Sequence, residues 1–80
     1  MKLTICLGST SRLKGSGRVV SDLRDLITSN GLSDVVTLTG TFNEAPVDGV
    51  AVWVGDEFFS VTPETVQEFF KTQILEKLGK

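Results

Sequence analysis

Two runs rich in β-forming residues, Val50–Val54 and Glu57–Val61, are separated only by Gly55-Asp56. A two-residue connection of this kind closes a tight hairpin, because its turn geometry matches the twist of the flanking strands. An antiparallel pair late in the chain is therefore the firmest constraint, and the upstream residues must build a sheet that it joins. Lys2–Leu7 predicts a first strand, with Leu3, Ile5 and Leu7 on one face and Thr4 and Cys6 on the other. Val35–Thr39 predicts a second, with Val36 and Leu38 set against Thr37 and Thr39.

Helices fill the intervals. Val19, Val20, Leu23, Leu26 and Ile27 share one helical face, with Ser16 as the expected N-cap and Asn30-Gly31 as the stop. The stretch Gly8–Gly17, rich in glycine and hydroxyl residues, reads as a loop. Thr62, Pro63 and Glu64 form a strong start signal for a final helix carrying Val66, Phe69, Phe70, Ile74 and Leu78 and ending near Gly79. The predicted order is β-α-β-β-β-α, an α/β domain spanning residues 1–80 with a mixed four-stranded sheet and two helices. The first unit should be a parallel βαβ crossover. Two helices do not cover both faces of such a sheet, so some apolar surface is left for a partner.

Composition narrows the function. The longest apolar runs fall far short of the roughly 20 residues that a membrane span needs, and the short stretch Leu3–Leu7 reads as a strand rather than a leader. A lone cysteine, Cys6, permits no internal disulfide and suits a reducing, cytoplasmic setting. Eight basic residues against ten acidic ones supply too little positive charge for nucleic acid. With no histidine in the chain, no Ser/His/Asp set is possible, and the expectation is a protein that is not an enzyme.

A family resemblance lies in three stretches. Cys6-Leu7-Gly8-Ser9-Thr10-Ser11, followed by Arg12 and Gly15, resembles the Cys-x-Gly-Ser-x-Cys opening of thioredoxin-like [2Fe–2S] ferredoxins. Gly40-Thr41-Phe42-Asn43-Glu44-Ala45-Pro46-Val47 is similar to the family's Gly-x-Phe/Leu-Cys-x-x-x-Cys segment, and Val61-Thr62-Pro63-Glu64 to its last helix start. The family includes thioredoxin-like subunits of NADH dehydrogenases and NAD-linked hydrogenases. The resemblance implies a thioredoxin-like ferredoxin fold in which Cys6, Ser11, Asn43 and Val47 stand at the four cluster-ligand positions.

Only Cys6 keeps a thiolate. A cluster of this type is held by four thiolates, two per iron, serine is a poor soft-metal ligand, and valine is none. The expectation is a domain that folds but carries no cluster and no other cofactor. The resemblance then implies a non-catalytic structural or assembly subunit of a multi-subunit redox complex, of the NAD(P)-linked or electron-bifurcating hydrogenase, NADH dehydrogenase or formate dehydrogenase type. Its partners would be flavin and iron–sulfur subunits, met through Arg12, Leu13, Lys14, Phe42, Asn43, Glu44 and Trp53. The alternative is a free-standing protein that binds a small anion or nucleotide with the Gly8–Arg18 loop, which carries Arg12, Lys14 and Arg18 before a helix.

Overall fold

The computed structural model describes residues 1–43 and 47–79. Its elements are β1 (Lys2–Cys6), α1 (Ser9–Leu13), α2 (Ser16–Ser29), β2 (Thr37–Thr41), β3 (Val50–Val54), β4 (Glu57–Val61) and α3 (Val66–Phe70), which runs on into a π-helical turn over Lys71–Leu75. The strands form one mixed sheet in the order β2-β1-β3-β4. β1 and β2 are parallel, and β1–β3 and β3–β4 are antiparallel. The expected α/β class, parallel first unit and late hairpin are all present.

Register assigns the side chains to faces. Leu3 pairs with Leu38 and Val54, Ile5 with Gly40 and Val52, and Val50 with Val61. These residues form the inner face. They pack with Val19, Leu23 and Ile27 of α2, and with Val66, Phe69, Phe70 and Ile74 of the last helix, in one core. Both long helices therefore lie on the same side of the sheet. An edge-to-face contact between Phe59 and Phe69, with ring centroids 5.5 Å apart, ties β4 to α3.

The opposite face is built from the alternate residues: Lys2, Thr4 and Cys6; Thr37, Thr39 and Thr41; Ala51 and Trp53; Phe58 and Ser60. Cys6 and Ala51 are buried at one end of it, while Phe58 is 49% exposed. Hydroxyls link its middle, with the Thr4 and Thr39 Oγ1 atoms 3.2 Å apart.

Five expectations are corrected. Gly8–Gly17 is not all loop, and the helices number three rather than two: the Arg12 N–H donates to the Gly8 carbonyl at 2.9 Å and winds Ser9–Leu13 into α1. Gly15, at φ +95°, ends that turn and opens α2, so Ser16 is the first helical residue rather than the cap. β2 lies two residues later than expected, because Val36 turns inward with Leu32 to close the base of the core. The final helix is not regular. The Thr72 hydroxyl donates to the Glu68 carbonyl at 3.0 Å, and the Glu76 N–H reaches the Lys71 carbonyl five residues back. That helix also starts later than expected, at Val66 with Thr65 as its N-cap rather than Thr62: Thr62 Oγ1 accepts from the Thr65 N–H and Thr65 Oγ1 accepts from the Thr62 N–H, which closes a turn over Pro63 and Glu64 before the helix.

Candidate functional sites: a cleft at the α2 N-terminus and an uncovered sheet face

β1 and β2 run parallel, so their carboxyl ends open together at one end of the sheet, where α2 begins. A cleft of about 390 Å3 lies there, lined by Leu7, Arg12, Ser16, Gly17 and Phe42. In open α/β sheets this crevice is the usual place for a ligand. Leu7 continues β1, and its N–H donates to the Thr41 carbonyl at 2.7 Å, which brings the following Phe42 to the same end. Phe42 is 79% exposed.

The Arg18 and Val19 N–H groups both donate to the Gly15 carbonyl. Ser16 is 1% exposed, and its Oγ is a buried polar atom without a hydrogen bond. A β-carbon built on Gly17 meets nothing within 4 Å, so the space above the helix start is clear. Among the described residues no carboxylate lines the cleft.

The second feature is the face that no long helix covers. A shallow groove of about 410 Å3 crosses it, lined by Thr4, Thr41, Asn43, Trp53 and Gly55. Trp53 is half-buried there beside its cross-strand partner Phe58.

The residues singled out from the sequence thus divide into groups. Arg12 and Phe42 meet in the cleft, and Asn43 and Trp53 meet in the groove. The Lys14 ammonium donates to the Val47 carbonyl at 3.1 Å, tying α1 to the approach of β3. Leu13 points into solvent, 91% exposed, and Glu44 lies outside the described residues. Sequence reasoning missed Ser16 and Leu7 as cleft residues. The available signal was Gly15-Ser16-Gly17 between Arg12 and Arg18, in which Ser16 was read only as a cap.

The four positions at which the resemblance would put cluster ligands do not fit an iron–sulfur cluster. Cys6 and Ser11 are buried, Val47 is half-buried and Asn43 is exposed, with one thiol among them. Among the described residues no three His, Cys, Asp or Glu side chains gather to hold a metal. Anaerobic incubation with iron and sulfide is expected to leave no stoichiometric cluster on the chain. About two irons per chain with matching visible absorbance would overturn that expectation.

No helix among the described residues is long and apolar enough to cross a membrane. No family model, curated protein or solved structure matches this chain.

Proposed function

We propose that the chain is a non-catalytic structural or assembly subunit of a cytoplasmic multi-subunit redox complex, a thioredoxin-like ferredoxin domain that docks without relaying electrons. The complexes meant are NAD(P)-linked or electron-bifurcating hydrogenases and the related NADH and formate dehydrogenases. The sequence resemblance supplies this class of partner, a flavin or iron–sulfur subunit.

The observation that carries the docking role is the uncovered sheet face. Trp53 and Phe58 pair across β3 and β4 on a surface that neither long helix shields. Aromatic side chains of this kind, desolvated by a partner, supply much of the binding energy in protein interfaces. Lack of the thiolates removes electron transfer through the domain while leaving its hairpin turn and core intact.

The test is anaerobic affinity purification of the tagged protein from its native host, with co-purifying subunits identified by mass spectrometry. Flavin and iron–sulfur subunits are expected in stoichiometric amounts. Trp53→Ala and the more exposed Phe58→Asp are each expected to weaken the association by about thirtyfold, the usual effect of removing an interface anchor. Recovery of the protein alone, or unchanged recovery with both variants folded, overturns the proposal.

A further inference from the structure

Beyond the docking role, and at the sheet edge opposite Phe58, we propose that β2 pairs with β2 of a second copy, joining two sheets into one. β2 lies at the end of its sheet and pairs with β1 alone. The ladder shows which backbone groups are left over. The Thr37 N–H donates to the Met1 carbonyl, and the Thr41 carbonyl accepts from the Leu7 N–H. Thr37, Thr39 and Thr41 therefore turn their backbone groups toward β1. Successive residues of a strand alternate in this respect, so Leu38 and Gly40 turn theirs outward. Among the described residues no strand lies beyond them, and no turn or loop hydrogen bond reaches their backbone.

This edge is also unguarded. Sheet edges that stay single are kept so by charged side chains, proline or a bulge. β4, at the other edge, carries Glu57, whose carboxylate lies 3.8 Å from the Lys77 ammonium. β2 reads Thr-Leu-Thr-Gly-Thr, with no charge and no proline, and its register with β1 runs unbroken from Thr37 to Thr41. Thr37 and Gly40 are exposed and Leu38 is half-buried.

The order of these residues selects a second copy as the occupant. Thr39 alone separates the two outward-facing residues. Antiparallel pairing about a two-fold axis at Thr39 sets Leu38 opposite Gly40 of the second copy, and Gly40 opposite its Leu38. Each such pair exchanges two N–H to carbonyl bonds, so every outward group of both residues is used. On the uncovered face Thr39 meets its own equivalent and Thr37 meets Thr41, and cross-strand threonine pairs are favourable. On the inner face each Leu38 lies over a residue without a side chain. A pocket of about 120 Å3 opens there, lined by Ile5, Leu7, Val20 and Leu38, with Arg24 beside them. Pairing joins the two pockets and fills the seam with both Leu38 side chains. The two-fold axis closes the assembly at a dimer.

The experiment is sedimentation equilibrium of the full chain, with amide hydrogen exchange followed on the same samples. A five-residue edge makes a small interface, and a monomer–dimer equilibrium with a Kd of about 10–500 µM is expected. As the chain passes from mostly monomer to mostly dimer, the Leu38 and Gly40 amides are expected to gain about tenfold or more in protection. Phe58→Asp, on the docking surface, is expected to leave this equilibrium unchanged, so the dimer and the docking role stand or fall separately.

Thr39→Lys sets like charges opposite each other at the axis, and so does Thr39→Glu. Each alone is expected to weaken the dimer about tenfold. Both also lose the bonds of the Thr39 hydroxyl to Thr4 and to the Leu3 carbonyl, so their mixture is the decisive comparison. With both variants folded by circular dichroism, the equimolar mixture is expected to dimerise about tenfold more tightly than either alone. Pairing with a foreign strand does not produce that recovery. Three outcomes overturn the proposal: a parent chain that stays monomeric up to about 1 mM, a dimer whose Leu38 and Gly40 amides stay unprotected, or a mixture of the folded variants no tighter than each alone.

Discussion

Replacing Phe70 with alanine is expected to unfold the chain or to lower its melting temperature by well over about 10 °C. Phe70 is 1% exposed in α3, in the core that joins both long helices to the inner sheet face. Truncating such a ring costs about 3–5 kcal/mol through lost burial and the cavity left behind. An 80-residue domain has only about 4–12 kcal/mol to lose. Phe58→Ala is the control, because Phe58 is 49% exposed on the other face, and about 1 kcal/mol or less is expected there. Urea denaturation of the two variants therefore reads the layering directly. Equal losses would mean that the outer face is also covered in solution, and light scattering would then show self-association.

The asymmetry between those two phenylalanines was only partly legible in the sequence. Alternation in Val50–Val54 and Glu57–Val61 located the hairpin to the residue, because Gly55-Asp56 leaves no choice of turn. Helical periodicity likewise found the face of α2 that carries Val19, Leu23 and Ile27. Periodicity assigns a residue to one face of its own element, but it does not say on which side of the sheet that element will lie. That both helices pack on one side, leaving Trp53 and Phe58 uncovered, comes from tertiary packing alone.

Local chemistry misled where two structures satisfy the same pattern. Val35 and Val36 look like strand residues. Here the Val35 and Val36 N–H groups both donate to the Leu32 carbonyl in a turn, and Val36 plugs the core. β2 then runs through Gly40, where an added β-carbon would run into Leu7 Cδ1. Gly40 thus leaves the room in which Leu7 lies against the strand and reaches the cleft.

The candidate sites show the same division. The concentration of Arg12, Lys14 and Arg18 near a helix start was visible, and it suggested an anion. The unpartnered Ser16 hydroxyl was not visible, because it depends on where α1 stops. Gly15 adopts φ +95° and places Ser16 inside the helix, with no cap hydrogen bond left for its side chain to make. Pro63 packs against that glycine so closely that a β-carbon would lie 2.9 Å from Pro63 Cγ. The turn that precedes the last helix thus helps to position the start of α2, a link of 48 residues (63 − 15) that no local pattern contains.

A second large effect is expected at Gly49, where alanine should cost about 1–3 kcal/mol, toward the upper end. The added β-carbon would lie 2.8 Å from the Val61 carbonyl oxygen, 2.8 Å from Ser60 Oγ and 3.1 Å from Thr62 Cγ2. Ser60 could rotate away, but only by giving up the hydrogen bond that its Oγ accepts from the Gly49 N–H at 2.8 Å. The Val61 carbonyl has no such freedom, because Val50 and Val61 pair at that end of the hairpin and both are fully buried. Two other glycines calibrate the measurement. Gly55, at φ +63° with open space around it, should lose only about 1–2 kcal/mol as alanine, from backbone strain. Gly17→Ala should gain about 0.5–1 kcal/mol, since its helical position has room and alanine favours helix. Chemical denaturation should therefore rank Gly17→Ala above the parent and both Gly55→Ala and Gly49→Ala below it. A Gly49→Ala protein within about 0.5 kcal/mol of the parent would mean that β4 yields at its end.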